Sequence, residues 1–396
     1  MTDKKNTKIV KGGRRKEWTG PFVNPPVTHG STILFDTYAE LRDGVKTAFK
    51  EELFYGRLGT PSQWAFEDAC AGLENAAGAK VFGSGMAAIA TSILSVLKSG
   101  DHLLMTDTVY EPSRKIAKNL LPRLGIETTF YDPMIGEGIA GLFRENTRAV
   151  FVETPGSLTF EVPDLPAIAK AAHENDIHEK DIYVLVDNTW ATPLFHDAFA
   201  HGADMSIHAA TKYIVGHSDA MLGVALANKK TIGLLKRTSF QLGQLAGPDD
   251  AFLGLRGLRT LSVRLEQHQK NALEIAKWLQ GHKLVDKVLH PALPSCPGHE
   301  VWKRDFTGAS GLFSIVLADG KYADLGAFCD ELQHFGMGFS WGGFESLVLP
   351  QEIAPIRTAT KWQAKGPLIR LHIGLEDLED LKDDLAAALK RFEKTL

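Results

Sequence analysis

The chain has 396 residues, of which 44% are hydrophobic and 23% charged, and its formal net charge is −4. These values are typical of a globular protein with a sizeable core, and the slight negative charge excludes a general attraction to nucleic acid or anionic lipid. No apolar run is long enough to span a membrane, and the three cysteines form no metal pattern with each other or with histidine, so we expect no metal and a reducing, cytoplasmic compartment.

Residues 1–60 are predicted to form an irregular N-terminal arm. The first sixteen residues are rich in lysine and arginine, and like charges at this density are typical of a solvated segment. No apolar stretch follows them, so they do not form a secretory signal. The turn-rich run GPFVNPPVTHGST then shows little periodicity.

Residues 61–255 alternate between helical and strand patterns. The helical segments include EDACAGLENAAGA, MAAIATSILSVLK, SRKIAKNLLPRL and DLPAIAKAAHEND, and the strands include KVFGSG, HLLMTD, IETTFYD, TRAVFVET, DIYVLVDNT, ADMSIHAA and MLGVALA. Strands that are apolar on both faces and separated by helices indicate an α/β domain with a mostly parallel sheet and helices on both faces.

Residues 256–396 are predicted to form a smaller α+β domain. Long helical patterns run to about Gln280, and the strands GLFSIVLA and LIRLHIG follow, with helices predicted over DLGAFCDELQHF and the final twenty residues. In open α/β sheets, ligands bind beyond the carboxyl ends of the strands, so candidate functional residues are sought there.

The run FGSGMAA joins a strand to a helix through two glycines. Backbone N–H groups at such a helix start favour a phosphate, because they lack partners and lie at the positive end of the helix dipole. The glycines also match the dinucleotide pattern GxGxxA, which predicts an acid about 20 residues further on, and Asp101 and Asp107 bracket that position. Ordinary turn glycines are the third interpretation.

Two further strand ends carry Asp187 and Lys212. An acid can pair with a pyridinium nitrogen, although an Asp in this position also commonly caps a turn. A lysine beside an apolar strand can lose part of its hydration, which lowers its pKa and frees the amine to attack a carbonyl. The alternative is a lysine that extends its amine into water.

Four other residues complete the candidate set. Tyr110 follows a strand and can stack on a flat ring, while Tyr55 and Arg57 lie in FYGRLGTPS. Arg370 lies within the apolar strand LIRLHIG, where a guanidinium requires a partner such as a phosphate or a substrate carboxylate. The order of these features along the chain is that of a domain binding pyridoxal 5'-phosphate (PLP).

At this point the sequence resembles the Cys/Met-metabolism family of PLP enzymes, which have fold type I (aspartate-aminotransferase-like). The resemblance extends over nearly the whole chain. It rests on YGRLGTPS, FGSGMAAI, DTVYEPS, ETPGSLTFEVPD, VDNTWATP, AATKYIVGHSDAM, GLRGLRTLSVRLEQH, FSWGGFESL and LIRLHIGLED.

The resemblance implies a role for each candidate residue. Lys212 would hold PLP as a Schiff base and act in catalysis with Tyr110, which also stacks on the ring, and Asp187 would pair with the ring nitrogen. The implied phosphate ligands are Gly85, Met86 and Thr211, with Tyr55 and Arg57 from the neighbouring subunit. The implied substrate contacts are Arg370 for the α-carboxylate, with Ser340, Trp341 and Tyr55.

The resemblance favours the β-lyase branch, which eliminates homocysteine from cystathionine in methionine biosynthesis. Ala209 stands where many relatives have serine, and the run after Glu153 lacks an Asn-Pro pair found in other branches. The alternatives are a γ-lyase or γ-synthase of the same family and a broad cysteine-S-conjugate or cystine lyase, and more remotely an NAD-dependent dehydrogenase or a non-catalytic binding protein. A shared site implies a homodimer as the minimum unit, and the family implies a homotetramer.

Overall fold

The computed structural model describes residues 3–47, 50–175 and 181–396, and its larger sheet has seven strands. In chain order they are β1 (Gly78–Phe82), β2 (His102–Thr106), β3 (Glu127–Tyr131), β4 (Thr147–Glu153), β5 (Tyr183–Asp187), β6 (Met205–His208) and β7 (Gly223–Ala227). Their spatial order is β1-β7-β6-β5-β4-β2-β3. The strands β2 to β6 are parallel, and β7 runs antiparallel to both of its neighbours.

A second, five-stranded sheet occupies the C-terminal part. Its strands are β8 (Val285–Leu289), β9 (Leu312–Leu317), β10 (Phe335–Met337), β11 (Ser346–Gln351) and β12 (Leu368–His372). Their spatial order is β10-β11-β12-β9-β8, and every pair except β10–β11 is antiparallel.

The helices lie before, between and after these strands. They are α1 (Lys5–Lys11), α2 (Lys16–Thr19), α3 (Tyr38–Thr47), α4 (Pro61–Glu74), α5 (Gly85–Val96), α6 (Glu111–Lys115), α7 (Leu165–His173), α8 (Thr192–Phe195), α9 (Ile232–Gln241), α10 (Pro248–Leu258), α11 (Leu261–Gln280), α12 (His299–Asp305), α13 (Gly326–Cys329) and α14 (Leu378–Glu393).

Alternate residues of the large sheet enter two different cores. Leu185 and Phe151 pack with Ile89 and Ile93 of α5 on one face. On the other face, Val184 and its neighbours pack against α7, and α4 and α10 cover the end formed by β1 and β7. Side chains of successive strand residues point to opposite faces, so a strand must be apolar throughout when both faces are covered. The predicted fold class, a mostly parallel α/β sheet with helices on both faces and a smaller α+β part, is confirmed.

The N-terminal arm differs from the prediction. It contains the helices α1, α2 and α3 rather than irregular chain throughout, and α1 packs on α4. Ile9 is buried in the core, and the Lys5 amine donates to the carbonyl oxygens of Pro193 and Leu194 at 2.7 and 2.9 Å. The basic pattern concealed this docking because one apolar residue per turn is enough to anchor so short a helix.

Two predicted helices were also wrong in part. The segment SRKIAKNLLPRL begins as α6, continues as a π-helical turn over Ile116–Leu120 and ends as a 3₁₀ turn over Leu121–Leu124. Pro122 lacks the N–H that an α-helix would need there. The segment DLGAFCDELQHF forms only the short α13 before the chain enters β10 at Phe335.

Candidate active site

Two carboxylic acids stand side by side at the carboxyl edge of the large sheet. Glu153 ends β4 and Asp187 ends β5, and the two residues are in register. Asp187 Oδ1 accepts hydrogen bonds from the backbone N–H and the hydroxyl of Thr189 at 3.1 and 2.5 Å. Burial raises the pKa of Asp187, and the bonds from Thr189 oppose that rise. Within the described residues, Oδ2 makes no hydrogen bond and is left for a ligand.

Glu153 accepts hydrogen bonds from two different segments of the chain. Its Oε2 accepts from the backbone N–H of Tyr110 and its Oε1 from the Ser157 hydroxyl, each at 2.6 Å. Burial beside Asp187 raises the pKa of Glu153 well above its usual value. Because the charge of Asp187 adds to the effect of burial at Glu153, the pKa of Glu153 is raised more strongly, and Asp187 is the acid of the pair that ionises more readily.

Lys212 lies in the turn after β6. Its amine donates to Ser340 Oγ at 2.6 Å and lies 5.3 Å from the ring centre of Trp341. Burial and the positive charge of Arg370 lower the pKa of Lys212 to about 8, while Asp187 acts in the opposite direction. A useful fraction of the amine is therefore uncharged near neutral pH, as nucleophilic and basic roles require.

The start of α5 forms a cradle of backbone N–H groups. Ser84 caps the helix by accepting from Ala87 N–H at 3.1 Å, and the first intrahelical bond belongs to Ala88. The N–H groups of Gly85 and Met86 precede that bond and have no intrahelical partner. A Cβ on Gly85 would lie 2.5 Å from the Cβ of Ala209, so glycine is required for this close approach.

Thr211 adjoins the cradle, but its hydroxyl is already bonded. It donates to the carbonyl oxygen of Leu222 at 3.1 Å and accepts from the N–H of Leu222 at 2.8 Å. These bonds attach the turn that carries Lys212 to Leu222, the residue just before β7. A phosphate contact from Thr211 stays a prediction and would use the remaining lone pair of the hydroxyl.

Tyr110 follows β2 of the large sheet, whereas Arg370 lies on β12 of the second sheet. The charge of each group affects the pKa of the other. Tyr110 is 44% exposed, and burial together with Glu153 raises the pKa of its hydroxyl, which therefore stays protonated. Arg370 on β12 donates to Ser340 O at 2.9 Å, and burial lowers its pKa to about 10. Among the described residues no carboxylate pairs with this guanidinium, so a half-buried cation with free N–H groups awaits an anionic ligand.

The loop 340–345 brings two of the predicted substrate contacts, Ser340 and Trp341, to the site. Ser340 has a φ of 75° and Gly342 a φ of 85°, and a Cβ on Gly342 would lie 2.9 Å from the carbonyl carbon of Lys212. Trp341 packs on Tyr213 with ring centres 5.5 Å apart. The loop thus lies directly against the lysine turn.

Tyr55 and Arg57 lie apart from this group. The Arg57 guanidinium donates to Phe240 O at 2.9 Å and lies 4.3 Å from that residue's ring centre, and Tyr55 is exposed. In the described chain neither residue contacts Lys212, Asp187 or Tyr110. Their predicted place in a neighbouring subunit's site stays a prediction.

Sequence reasoning assigned no role of their own to Glu153, Thr189 and His372, all of which support the site. Glu153 ends an apolar strand as Asp187 does, so the same strand-end argument would have found it. His372 lies two residues after Arg370 on β12 and bonds to the loop 340–345. Nothing local in the sequence signals that contact.

These residues fit PLP. An amine with a lowered pKa, a buried acid with a free oxygen, a half-exposed aromatic ring and a glycine cradle for a phosphate are the groups that this cofactor requires. In the part of the chain that the structure covers, no cluster of His, Cys, Asp and Glu is placed to hold a metal ion. No described helix combines the length and apolar character of a membrane crossing. Fold and site define a PLP-dependent enzyme of fold type I.

Comparison with known proteins makes the assignment more specific. The family model "Cys/Met metabolism PLP-dependent enzyme" matches residues 6–390, and the chain belongs to that family. It is 45% identical over 396 residues to cystathionine beta-lyase MetC of Escherichia coli, and the aligned region covers 99% of this chain and 100% of the relative. It is 44% identical to cystathionine beta-lyase of Haemophilus influenzae, with 98% of each chain covered.

The fold has close relatives among solved structures. Cystathionine gamma synthase from Xanthomonas oryzae pv. oryzae, in complex with aminoacrylate and cysteine, superposes with a TM-score of 0.90 at 32% identity and full coverage of both chains. The predicted family, fold type and cofactor are confirmed.

Proposed function

We propose that this enzyme is a carbon–sulfur lyase that cleaves L-cystathionine by β-elimination. With one water consumed, the products are homocysteine, pyruvate and ammonia. The observation that carries the proposal is the juxtaposition of the Lys212 amine, with its lowered pKa, and the Arg370 guanidinium, which has no carboxylate partner among the described residues. Ser340 contacts both, the amine through its hydroxyl and the guanidinium through its carbonyl oxygen. The full-length likeness to cystathionine beta-lyases supports the choice of substrate.

Bound PLP supplies an electron sink that stabilises negative charge at the substrate Cα. Arg370 binds the α-carboxylate and thereby directs the Cα–H bond toward Lys212. Lys212 takes that proton and carries it to the sulfur that leaves from Cβ. The hydrogen bond to Ser340 Oγ holds the amine in place for both transfers.

Asp187 and Tyr110 complete the site. Asp187 would pair with the ring nitrogen of bound PLP, and Thr189 orients its carboxylate. The Tyr110 hydroxyl, whose pKa is raised, keeps its proton and can donate a hydrogen bond to the leaving sulfur, while the proton that converts the thiolate to the thiol comes from Lys212.

The β- and γ-branches differ in their products, which makes the assignment testable. Incubation of the holoenzyme with L-cystathionine should give homocysteine and pyruvate in equal amounts, quantified by chromatography. Cysteine and 2-oxobutyrate would instead identify a γ-lyase and contradict the proposal. Lys212→Ala serves as the control and should abolish turnover, because no other described amine shares its position.

A second copy of the chain is the proposed partner. Apolar side chains of the arm stand in solvent, among them Leu34 and Tyr38 with exposed fractions of 88% and 75%, and a monomer rarely leaves such a surface open. The arm also carries Tyr55 and Arg57, which we assign to the neighbouring subunit's phosphate site. A dimer is the minimum unit, and a pair of dimers is the proposed assembly.

Mixing two inactive variants tests the shared site. Arg57→Ala and Lys212→Ala each damage the site, but a mixed dimer contains one site with both residues intact if Arg57 acts across the interface. Random exchange of subunits should then restore about a quarter of wild-type activity, since half of the dimers are mixed and each has one good site. Absence of recovery in demonstrably mixed dimers would place both residues in one subunit's site.

The proposed compartment is the cytoplasm. The cysteines Cys70, Cys296 and Cys329 are all buried and unpaired. Free thiols in a folded core are the usual state in a reducing compartment.

A further inference from the structure

The loop between β10 and β11 forms one wall of the site, and its contacts are with distant parts of the chain, among them the Ser218 hydroxyl, which donates to Glu345. Its Ser340 and Gly342 adopt left-handed backbone conformations, which only contacts from outside the loop can stabilise for a serine. Ser340 uses its hydroxyl for Lys212 and its carbonyl for Arg370. A small change in this loop would therefore move both contacts at once.

His372, the last residue of β12, bonds to this loop at two points. Its Nε2 lies 3.1 Å from the backbone nitrogen of Gly342, and its Nδ1 lies 2.9 Å from the carbonyl oxygen of Glu345. A backbone N–H can only donate and a carbonyl can only accept. The ring must therefore carry its single proton on Nδ1 and accept at Nε2.

The surroundings of His372 keep the ring neutral. It is 1% exposed, with the rings of Tyr213 and His268 at 5.8 and 5.2 Å. Burial, with further contributions from His268, Arg370 and Lys212, lowers the pKa of His372 well below its usual value. A second proton on Nε2 would face the N–H of Gly342 and break the bond.

We propose that His372 is a positioning residue: by accepting from Gly342 N–H and donating to Glu345 O, it sets the loop shape in which Ser340 reaches Lys212 and Arg370 together. His372 touches neither substrate nor cofactor in this proposal and acts through the loop. Arg370 and His372 are two residues apart on one strand, so they share a face. One strand thus supplies both the carboxylate-binding guanidinium and the group that shapes the loop against it.

Two isosteric variants separate the two bonds. The amide of glutamine can place its oxygen where Nε2 accepts, so His372→Gln keeps the bond to Gly342. The amide nitrogen of asparagine takes the place of Nδ1, so His372→Asn keeps the bond to Glu345 and loses the one to Gly342. A purely space-filling role would make the smaller Asn and the larger Gln differ in stability without a specific effect at Gly342.

Amide hydrogen exchange at Gly342 is the direct readout, measured on the holoenzyme by mass spectrometry and scaled to the core amide of Ile315. Loss of one buried hydrogen bond should speed Gly342 exchange about tenfold in His372→Asn, while His372→Gln stays near wild type. The KM for cystathionine should rise about tenfold in His372→Asn, with a smaller change in kcat, because Arg370 loses its oriented backbone partner.

His268→Asn is the matched control. His268 lies beside His372, but its Nδ1 bonds to Ile373 O at 2.8 Å and not to the loop, and asparagine can keep that bond. Its Gly342 exchange should match wild type. Equal Gly342 exchange in the two His372 variants would overturn the proposal, and so would rapid exchange in His372→Gln alone if the Asn variant does not fold.

The proposal depends on the proposed function only for its kinetic readout. Amide exchange requires no turnover, so slow exchange in His372→Gln and fast exchange in His372→Asn would support it even if the substrate proved to be another sulfur amino acid. Failure of the product assay and failure of the exchange assay are thus distinguishable.

Discussion

Glu153 and Asp187 are in-register neighbours on two parallel strands, and burial raises the pKa of both acids, that of Glu153 more strongly. Asp187 receives two hydrogen bonds from Thr189, which oppose the rise, whereas Glu153 is buried beside Asp187 and its pKa is raised well above the usual value. The sheet thus carries one acid that ionises more readily, Asp187, and a second, Glu153, that accepts from the backbone N–H of Tyr110. A pair of acids divided in this way is a common feature of active sites.

Glu153→Gln should retain activity at neutral pH, because the amide resembles a protonated carboxyl. Its oxygen accepts from Tyr110 N–H, and its nitrogen donates to Ser157 Oγ once that hydroxyl, which donates to Glu153 in the wild type, turns to accept. We expect kcat/KM within about threefold of wild type, and a loss of about tenfold or more for Glu153→Ala, which leaves that buried N–H without a partner. Steady-state kinetics of the two variants test this. A large loss in the Gln variant would show that Glu153 acts as an anion.

The raised pKa of Glu153 also predicts how stability varies with pH. A carboxyl whose folded pKa is raised contributes stability that is present below its unfolded pKa and is lost as pH rises through the folded value. Gln does not titrate, so the Tm of Glu153→Gln minus that of wild type should grow as pH rises from about 5 to 9. Differential scanning fluorimetry over this range measures the difference.

Arg370 should affect both substrate binding and the basicity of Lys212. Loss of a charged, multiply bonded carboxylate contact in Arg370→Ala should raise KM by about 10- to 100-fold, with a smaller effect on kcat. Because Arg370 is one cause of the lowered pKa of Lys212, its removal should raise that pKa above about 8. Titration of the ¹³C-methylated lysine in the cofactor-free enzyme would show the shift.

Arg370→Lys is the matched variant. It retains a positive charge near Lys212 but lacks the planar fork that binds a carboxylate at two points. Its KM should rise nearly as far as that of Arg370→Ala, while the pKa of Lys212 stays near wild type. Equal lysine titrations in all three proteins would contradict the electrostatic coupling.

Much of the site could be predicted because it obeys one topological rule. Asp187 and Lys212 follow apolar strands of a sheet whose strand ends meet at one edge, and the glycine turn before α5 lies at the same edge. Local pattern was sufficient for these residues. The cofactor itself followed from the chemistry of the set and from the family resemblance.

The rest depends on contacts between distant parts of the chain. The loop 340–345 is shaped by His372, about thirty residues later, and no periodicity relates the two. The prediction for the arm was wrong because charged residues dominate its sequence, whereas the buried Ile9 side chain and the bonded Lys5 amine anchor α1 on the domain. Propensity and charge describe what a segment prefers in isolation, and here packing outweighed both.

The two neighbouring residues Ile9 and Val10 test the docking of the arm. Ile9 is 1% exposed and Val10 is 54% exposed. Ile9→Ala should lower the free energy of unfolding by about 2–4 kcal/mol, and Val10→Ala by less than about 0.5 kcal/mol. Urea unfolding monitored by circular dichroism measures both values. Equal, small effects would mean that α1 is not docked in solution.

Asp107 joins the segment of Tyr110 to the segment that precedes Arg370. Its carboxylate accepts from the backbone N–H groups of Thr358, Ala359 and Thr360 at 2.9–3.1 Å and from the Arg114 guanidinium at 2.6 Å. Hydrogen bonds from Arg114 and the backbone lower the pKa of Asp107 against the effect of burial. Asp107 is one of the two acids that bracket the dinucleotide-like spacing, and these bonds give it a structural role.

Asp107→Asn should be costly, because the amide NH₂ would face N–H donors while Arg114 loses its buried anion. We expect a loss of about 3–5 kcal/mol in the free energy of unfolding, the usual cost of removing one partner from a buried ion pair.

The folded pKa of Asp107 is lowered, so the stability from Asp107 is present above its unfolded pKa and is lost as pH falls through the folded value. The difference in Tm between wild type and variant should therefore narrow only below about pH 4, near the usual aspartate pKa. Asp132→Asn is the control. Among the described residues the carboxylate of this surface aspartate bonds only the backbone N–H of Met134, so the variant should change stability by less than about 1 kcal/mol. A constant difference in Tm down to pH 3 would show that shape rather than charge at Asp107 holds the two segments together.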